Sequence, residues 1–207
     1  MVVDPKTLVA SGYDLIADVY LERYGQSSVR DRWLAELLAA THPGEYVLDL
    51  GCGAGVPVAR ELVTQGREVL GVDGSVKQIE LARHNVPRAK FQHADMTSVA
   101  FPPASFDAVA AFYSITHVPL DEHAILLQRI ATWLRPGGFL IASLGAARSA
   151  NWRGEWLGTE MFFSHHDADT NLRLVEDAGL TVTRAELMDQ DNEDARFLWI
   201  MARRPSS

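Results

Sequence analysis

Cysteine is almost absent from this chain: Cys52 is the only one among 207 residues, so no disulfide can form within it. Long apolar runs are missing too, and no stretch approaches the roughly 20 residues that a membrane-spanning helix needs. At the amino terminus, Asp4, Pro5 and Lys6 interrupt any apolar core of the kind that a secretory signal has. These absences predict a cytoplasmic protein with no membrane span.

Positive charge is in short supply as well. The chain has 19 lysines and arginines against 27 aspartates and glutamates, which gives a formal net charge of −8. Nucleic-acid binding needs clustered cations to neutralise phosphates, and the basic residues here are scattered. The composition therefore argues against a nucleic-acid partner and favours a protein that handles small molecules. The length favours a single domain over residues 1–207.

What the sequence does contain is an alternation of short apolar strands with amphipathic helices. Strands are predicted at 46–50, 69–73, 89–93, 106–113, 139–145, 181–188 and 196–203. Helices are predicted at 7–24 and 28–40, within an N-terminal helical cap of residues 1–42, and at 56–65, 76–84, 122–134 (capped by Asp121) and 168–178. Because the strands are apolar without strict alternation, we expect an open α/β fold with helices on both faces of a largely parallel sheet.

A glycine-rich loop follows the first predicted strand, in the run Asp49-Leu50-Gly51-Cys52-Gly53-Ala54-Gly55. Its glycines let the backbone turn sharply and approach a ligand closely. The spacing is G-x-G-x-G, whereas dinucleotide-binding loops have G-x-G-x-x-G, and the Asp49 carboxylate would repel a pyrophosphate. The loop thus favours a ligand with positive charge, although a nicotinamide-dependent oxidoreductase stays an alternative. Cys52 is interpreted as a small buried residue beside the loop, in preference to a catalytic thiol.

Two further carboxylates follow the next two strands, where the carboxyl ends of a parallel sheet collect ligand-binding groups. Asp73 comes 22 residues after Gly51, a spacing at which a carboxylate can accept both hydroxyls of a ribose; a helix-capping aspartate is the alternative. Asp95 can accept the amino group of an adenine, with Met96 packed on the base; a turn aspartate is the alternative. Together these residues predict an adenosine site.

Several motifs in a fixed order carry a family resemblance. They are Val47–Gly55, Gly71–Ser75, Ala94–Met96, Phe101-Pro102, Ser105–Val109, His117–Pro119 and Leu134–Gly138. In order and spacing they resemble the class I S-adenosylmethionine-dependent methyltransferases over about residues 44–145, the predicted cofactor-binding core. The resemblance implies a Rossmann-like, doubly wound sheet of seven strands, mostly parallel with an antiparallel last strand, and S-adenosylmethionine as the cofactor.

The resemblance also implies which residues hold this cofactor. The glycine loop and Asp49 would face its methionine part, Asp73 its ribose and Asp95 its adenine. Aromatic faces attract a sulfonium by cation–π interaction, so aromatic residues near the site are candidates, with core packing as the alternative. The predicted cofactor residues are Tyr13, Tyr20, Asp49, Gly51, Cys52, Gly53, Asp73, Gly74, Gln78, Asp95, Met96, Phe112 and His117, with Tyr113 as a further aromatic candidate.

A sulfonium methyl group is already activated, so the enzyme mainly has to align the acceptor with it. If the acceptor is a hydroxyl or an acidic N–H or C–H, a base must take its proton, whereas a carboxylate needs none. The candidate catalytic residues are His117, after the fourth strand, and His165 and His166, before the last helix. The alternative for His117 is that it orders a loop. The alternative for His165 and His166 is a surface or helix-capping role. The pair lacks a third ligand at metal spacing, so no metal site is expected.

Residues 146–166 are the part least like the family. They place Trp152, Trp156, Met161, Phe162 and Phe163 in a connection after the fifth strand, where long connections often form lids. We expect a substrate lid against an apolar or aromatic acceptor; a hydrophobic cover over the sheet is the alternative. The expected reaction is methylation of oxygen, nitrogen or carbon on a small molecule, by a monomer or homodimer. Non-methylating chemistry on the same cofactor, of the cyclase or decarboxylase type, is the alternative function.

Overall fold

Two helices come first in the chain. The computed structural model describes residues 3–191 and 193–206. Helix α1 spans Pro5–Tyr24 and α2 spans Ser28–Ala40, so both predicted N-terminal helices are present. The side chains of Asp4 and Ser27 cap them by accepting backbone N–H groups of the first turn. Within the described ranges, no helix combines the length and the apolar character needed to cross a membrane.

The remaining elements build one large sheet and one hairpin. The strands are β1 Tyr46–Leu50, β2 Glu68–Asp73, β3 Lys90–His93, β4 Phe106–Ala111, β5 Leu134–Gly145, β6 Ser149–Trp156, β7 Thr159–His165, β8 Thr181–Asp189 and β9 Arg196–Arg203. The later helices are α3 Val58–Thr64, α4 Val76–Asn85, α5 Leu120–Trp133 and α6 Ala168–Asp177, and a 3₁₀ turn spans Ile115–His117. The sheet order is β3-β2-β1-β4-β5-β9-β8, with β9 antiparallel to its neighbours and the other pairings parallel. This confirms the predicted Rossmann-like sheet of seven strands with an antiparallel last strand.

The central strands β1 and β4 are buried on both faces, which explains why their residues are almost all apolar, whereas the edge strands β3 and β8 are partly exposed. In β1, Leu48 and Leu50 belong to the core that α5 and α6 cover, whereas Val47 belongs to the core beneath α2 and α3. On the second face, Trp33 of α2 stacks on Trp199 of β9 with ring centroids 5.7 Å apart. The sheet is therefore a rigid layer between two cores.

The strand order reverses at β1, whose neighbours are β2 on one side and β4 on the other. Ligands of open α/β sheets bind at the carboxyl ends of the strands beside such a reversal. The glycine loop after β1 and the aspartates at the ends of β2 and β3 lie at this edge. The topology thus places the predicted cofactor motifs together.

Residues 146–166 differ from the long connection that the sequence predicts. They form an antiparallel hairpin of β6 and β7, joined at Leu157 and Gly158 and separate from the main sheet. Aromatic residues favour strands where they can pack on one face. Here β7 packs against α1 and the 3₁₀ turn, and this buries Met161 and Phe162.

Helix α1 approaches this hairpin closely at Gly12. A Cβ at that position would lie 2.9 Å from Met161 Cε and 3.3 Å from the carbonyl oxygen of Glu160. Glycine inside a helix is less favourable than alanine by about 1 kcal/mol. Gly12 therefore weakens α1 as an isolated helix but allows the helix and the hairpin to touch directly.

Two predicted boundaries at α5 are wrong. The helix begins at Leu120 after Pro119, so Asp121 lies in the first turn and does not cap it. Proline suits this place because its missing N–H would have no partner inside the helix. At the other end, the helix was predicted to run to residue 134 and the next strand to begin at 139, whereas β5 already begins at Leu134, which pairs with Phe106.

Candidate active site

A cavity of about 340 Å³, here called the main cavity, opens at the carboxyl ends of the strands, with α1 as one wall. A small chamber of about 60 Å³ adjoins it and shares some of its lining residues. The predicted cofactor residues that line the main cavity are Tyr13, Tyr20, Gly51, Gly53, Asp73, Gly74, Gln78, Asp95, Met96, Phe112 and His117. Asp49 and Cys52 line the small chamber. The structure therefore brings the whole predicted set together.

The glycine loop curls over the end of β2. The backbone N–H groups of Gly51 and Cys52 both donate to the carbonyl oxygen of Val72, at 2.8 and 3.1 Å. Gly51 has a φ of 77°, and a Cβ there would lie 2.2 Å from Ser114 Cβ. Position 51 therefore needs glycine for its backbone conformation and for its close contact, and the loop presents bare backbone to the cavity.

Asp73 ties the glycine loop to the start of α4. Its carboxylate accepts the Gly53 N–H at 2.8 Å and the Ser75 N–H at 2.9 Å. Burial raises the pKa of Asp73, and these backbone hydrogen bonds offset the rise only in part. The side-chain cap of α4 is Ser75, which accepts from Gln78, so helix capping does not account for Asp73. A carboxylate has about four lone-pair sites, and two remain here for ligand hydroxyls.

Asp95 closes its own turn and also meets α1. It accepts the Thr97 N–H at 2.8 Å and pairs with Lys6 Nζ at 3.1 Å. Burial raises the pKa of Asp95, but the hydrogen bonds from Thr97, Lys6 and Ser98 outweigh it and hold the pKa below its usual value. Asp95 is thus both a turn aspartate and a charged group in the cavity wall.

Asp49 is buried at the small chamber with 2% of its surface exposed. Its Oδ2 has no hydrogen-bond partner among the described residues. Burial, with a smaller contribution from the Asp73 charge, raises the pKa of Asp49 to about 7. An ionised carboxylate in this place needs a cation, and a positively charged ligand group would supply it.

His117 is a buried residue of the 3₁₀ turn after β4, and its proton position follows from its contacts. Nδ1 lies 2.8 Å from the carbonyl oxygen of Phe162, which can only accept, so Nδ1 carries the hydrogen. Nε2 is then an acceptor, and the Tyr13 hydroxyl donates to it at 2.9 Å. Burial lowers the pKa of His117 to about 4 and raises the pKa of Tyr13 well above its usual value. The imidazole and the phenol are therefore both neutral near pH 7.

His165 and His166 line neither cavity. His165 Nδ1 bonds the carbonyl oxygen of Ala147, and the His166 ring lies 5.4 Å from the ring of His123. Asp167, the next residue, caps α6. No group of three or more His, Cys, Asp or Glu side chains in the described ranges could hold a metal ion. Of the three candidate catalytic histidines, His117 is therefore the one beside the cofactor residues.

An aromatic cluster of Tyr13, Tyr20, Tyr24, Trp156 and Phe163 joins α1 to the hairpin. Tyr24 stacks on Trp156 with ring centroids 5.8 Å apart, and Phe163 lies 4.5 Å from the ring of His117. Such ring pairs contribute about 0.5–1.5 kcal/mol each beyond the burial of their area. The cluster therefore provides flat apolar surfaces next to His117.

Cys52 fits its interpretation as a small buried residue. It is 8% exposed, and burial raises the pKa of its thiol well above the usual value. A thiol of this kind holds almost no thiolate near pH 7, and thiolate is the reactive form. Its contribution to the site is therefore its place in the glycine loop.

Helix α1 supplies polar contacts that sequence reasoning missed. Lys6 also binds Glu122 at 2.9 Å, and Asp14 accepts the Ser75 hydroxyl at 2.6 Å and the Lys77 N–H at 3.0 Å. These partners are 61 to 116 residues apart in the chain. Contacts between such distant residues leave no local motif that sequence analysis could have found.

Comparison with known proteins gives the same class as the fold and the site. Residues 47–138 match a family described as methyltransferase domain. The 27-O-demethylrifamycin SV methyltransferase of Amycolatopsis mediterranei (strain S699) is 32% identical over 154 residues, which cover 64% of this chain and 56% of that protein. The O-methyltransferase cnsE of Penicillium expansum is 37% identical over 121 residues, which cover 55% and 43%. The chain thus spans about half the length of the curated relatives it matches.

A solved structure shares the fold over nearly the full chain. It is the 1,6-didemethyltoxoflavin-N1-methyltransferase of Burkholderia thailandensis, crystallised with 1,6-didemethyltoxoflavin and S-adenosylhomocysteine. The TM-score is 0.76 at 20% identity, and the match covers 99% of this chain and 92% of the other. An identity this low establishes the common fold and nothing further.

The domain match at residues 47–138 and the fold shared with a solved methyltransferase agree with the resemblance to class I S-adenosylmethionine-dependent methyltransferases seen in the sequence. Within that class, residues 47–138 carry the methyltransferase domain itself. The residues present also fit the cofactor. Asp49 Oδ2, a buried acceptor to which no described residue donates, is open to a cation, and the glycine loop leaves bare backbone where a Cβ at Gly51 would clash.

Proposed function

We propose that this protein methylates an acidic hydroxyl group on a small aromatic molecule, with S-adenosylmethionine as methyl donor and His117 as base. One observation carries the proposal: a buried neutral imidazole at the wall of the main cavity, whose Nε2 can accept a proton. The domain match supports the reaction class. The acceptor class is argued from the residues around His117.

When bound, S-adenosylmethionine supplies a methyl group on a positively charged sulfur, ready for in-line attack. Asp73 would hold its ribose hydroxyls, Asp95 its adenine, and Asp49 the methionine part. Tyr20 and Phe112 line both the main cavity and the small chamber. Their rings would face the link between the two ends of the cofactor, where aromatic faces attract a positive sulfur.

His117 would take the acceptor proton on Nε2. The hydroxyl would lose its proton as its oxygen bonds to the methyl carbon and the carbon–sulfur bond breaks, with S-adenosylhomocysteine as the leaving group. The hydrogen bond from Nδ1 to the Phe162 carbonyl would stabilise the imidazolium. A base with a pKa of about 4 is weak, so it favours a phenol-like hydroxyl over an alcohol. Because the Tyr13 hydroxyl lies at Nε2, the acceptor has to replace it or lose its proton through it.

The surroundings of His117 support an aromatic acceptor. The Tyr13 and Phe163 rings both contact the imidazole, with ring centroids 5.3 and 4.5 Å away, and Trp156 contacts both of these rings. Flat rings of this kind pack well on a planar molecule. Relatives named as O-methyltransferases support an oxygen acceptor. We propose the hairpin over residues 146–166 as the lid on this side.

The test uses the purified protein with S-adenosylmethionine and a panel of phenols and matched saturated alcohols, with S-adenosylhomocysteine release as the readout. We expect turnover with phenols and little with the alcohols. His117→Asn keeps a donor for the Phe162 carbonyl but lacks Nε2, so turnover should fall about 10²- to 10⁴-fold. Affinity for S-adenosylhomocysteine, measured by calorimetry, should stay within about twofold.

His42→Asn, at an exposed residue before β1, is the matched control and should keep full turnover. Full turnover in His117→Asn would remove His117 as the base. Cofactor binding with no S-adenosylhomocysteine release from any acceptor would favour non-methylating chemistry; the [4+2]-cyclase SpnF shares this fold, with a TM-score of 0.76 at 18% identity. A cytoplasmic location and a monomeric or homodimeric state stay part of the proposal.

A further inference from the structure

A second cavity, of about 200 Å³ and here called the rear cavity, lies at the edge of the sheet opposite the main cavity. Its wall includes the first residues of three neighbouring strands, Tyr46 of β1, Glu68 of β2 and Lys90 of β3. The main cavity opens at the carboxyl ends of the same strands, and the two cavities share no lining residue. A ligand of the rear cavity would therefore be separate from the cofactor and from the acceptor.

The rear cavity collects positive charge, although the chain as a whole has a formal net charge of −8. Its lining contains three cations, Arg67, Arg88 and Lys90, against the single carboxylate of Glu68. Arg67 precedes β2, whereas Arg88 and Lys90 lie at the start of β3. The basic residues look scattered in the sequence, and the parallel pairing of β2 with β3 brings these three together.

The three cations form no ion pair with any carboxylate of the described residues. Elsewhere in the structure, Arg32, Arg135 and Arg196 each bond an aspartate or a glutamate at 2.6 to 2.9 Å. Like charges that converge repel one another, and an anion between them would replace this repulsion with attraction. The rear cavity therefore has the electrostatics of an anion-binding site.

Carbonyl oxygens already hold the two arginines in place. Arg67 donates from Nη2 to the carbonyl oxygen of Leu38 at 2.7 Å and from Nη1 to that of Gln65 at 2.6 Å. Arg88 Nη2 donates to the carbonyl oxygen of Val63. A carbonyl fixes a guanidinium without neutralising its charge. Side chains ordered in this way lose less conformational freedom when a ligand binds.

We propose that the rear cavity binds a phosphate group, either as the free ion or as the monoester of a small molecule. A phosphate monoester carries a charge of about −1.5 to −2 near pH 7 and three strong acceptor oxygens. The planar guanidinium of Arg88 can bind two such oxygens at once, while Arg67 and Lys90 add positive charge. The cavity is smaller than the roughly 300 Å³ at which pockets for drug-sized ligands begin, so it suits a compact anion. This binding does not depend on methyl transfer.

The test titrates the purified protein by calorimetry with inorganic phosphate and with glycerol 3-phosphate, at fixed ionic strength in a chloride buffer. S-adenosylhomocysteine is present throughout, so that neither anion enters the main cavity. Because Arg88 and Lys90 are exposed, water weakens their attraction, and we expect a Kd of about 0.1 to 1 mM for at least one anion.

Three variants locate the binding. Arg88→Gln/Lys90→Gln removes two cations and should weaken binding at least about tenfold. Glu68→Gln removes the carboxylate of the same wall and should tighten binding about 2- to 5-fold, because the anion no longer meets a like charge. Arg60→Gln/Arg173→Gln removes two exposed cations from outside the cavity and is the matched control, with an affinity within about twofold of the wild type.

Tighter binding of glycerol 3-phosphate would assign the cavity to a phosphorylated small molecule, and tighter binding of inorganic phosphate would assign it to the free ion; both results support the proposal. Absence of binding of both anions at about 10 mM would overturn it, and so would an equal loss of affinity in the double variant and in the matched control. Unchanged affinity in a folded double variant would also overturn it; if that variant unfolds, unchanged affinity in Glu68→Gln would do so. Failure of the wild type to bind S-adenosylhomocysteine would instead count against the proposed function, and the phosphate titration would be read without it.

Discussion

Asp49 combines deep burial with a carboxylate oxygen that none of the described residues satisfies. Desolvation penalises its charged form, and Asp73 adds like-charge repulsion. Near pH 7 the residue is about half ionised, since its pKa is about 7. A cation from the ligand would shift it to the ionised form. Asp49 thus lowers the stability of the protein without ligand and raises its affinity for a ligand with a positive charge.

We expect Asp49 to remove stability from the protein without ligand as the pH rises from about 4 to about 7, against an opposite contribution from the buried neutral residues His117 and His123, whose pKa values are about 4. The pKa of Asp49 is higher in the folded state than in the unfolded state, so the folded state holds a proton in this window that the unfolded state releases. Rising pH therefore favours unfolding, by up to about 4 kcal/mol at this site alone. Thermal unfolding at several pH values measures the effect.

Asp49→Asn is the comparison protein for this measurement. It cannot ionise at position 49 and keeps both histidines, so its melting temperature should gain on that of the wild type as the pH rises across the same window. It should also bind S-adenosylhomocysteine more weakly. Parallel pH profiles for the two proteins would show that the pKa of Asp49 is not raised.

Among the elements, α1 is held to the rest of the molecule by polar contacts as well as by the aromatic cluster. Lys6, Tyr13 and Asp14 each bond a different part of the fold, at the turn after β3, the 3₁₀ turn and the start of α4. Ile16 is buried, whereas Leu15 beside it is 77% exposed. The helix forms one wall of the main cavity, so its packing sets the space that a ligand can occupy.

The hairpin should govern acceptor binding more than cofactor binding. Trp156→Ala removes the ring that stacks on Tyr24 and contacts Phe163, so the KM for an aromatic acceptor should rise about 2- to 10-fold. Affinity for S-adenosylhomocysteine should change less than about twofold. Ile125→Ala removes a 58% exposed side chain of α5, outside the hairpin, and is the control. Equal KM values in the two variants would refute the assignment of Trp156 to the acceptor side.

The elements that sequence reasoning predicted well are those with a local cause. The strand at 46–50, the glycine loop and the helix capped by Ser75 depend on neighbouring residues, and all three are present. The hairpin at 149–165 was missed because its strands pair with each other and pack on α1, more than 100 residues earlier. Its many aromatic residues indicated a wall, but composition does not show register.

At the scale of the whole molecule, the site lies between the edge of the rigid central sheet and a wall formed by α1 and the hairpin. The sheet edge contributes the glycine loop and Asp73, and the core behind it is buried on both faces. The opposite wall consists of α1, with the hairpin packed on it. Ligand binding should therefore change the dynamics of α1 and the hairpin much more than those of the central sheet.

We expect S-adenosylhomocysteine to slow hydrogen exchange in α1 and in the hairpin, because the ligand would contact α1 and close the wall. Protection in β4 and β9 should stay unchanged, since these central strands are already buried. Lys6→Met removes the bond to Asp95 and should speed exchange in α1. Uniform protection of the whole chain by the ligand would contradict a separate response of α1.

The candidate site was predictable along the sheet edge, but on α1 only its aromatic residues were. Asp49, Asp73 and the glycines follow strands, and strand ends converge wherever a parallel sheet forms. Lys6 and Asp14 gave no such indication, because their importance depends on the partner that each charge finds after folding. Their side chains look like ordinary surface charges until the helices are placed.

The close packing of α1 on the hairpin at Gly12 bears on how water is excluded from the site. The absence of a side chain lets the backbone of the helix rest directly on the Met161 side chain. A larger residue would push α1 away from the hairpin and let bulk water in between them. Water competes for the hydrogen bonds of a reacting hydroxyl. Gly12 thereby determines how closely α1 packs on the hairpin and how far water is excluded from the site.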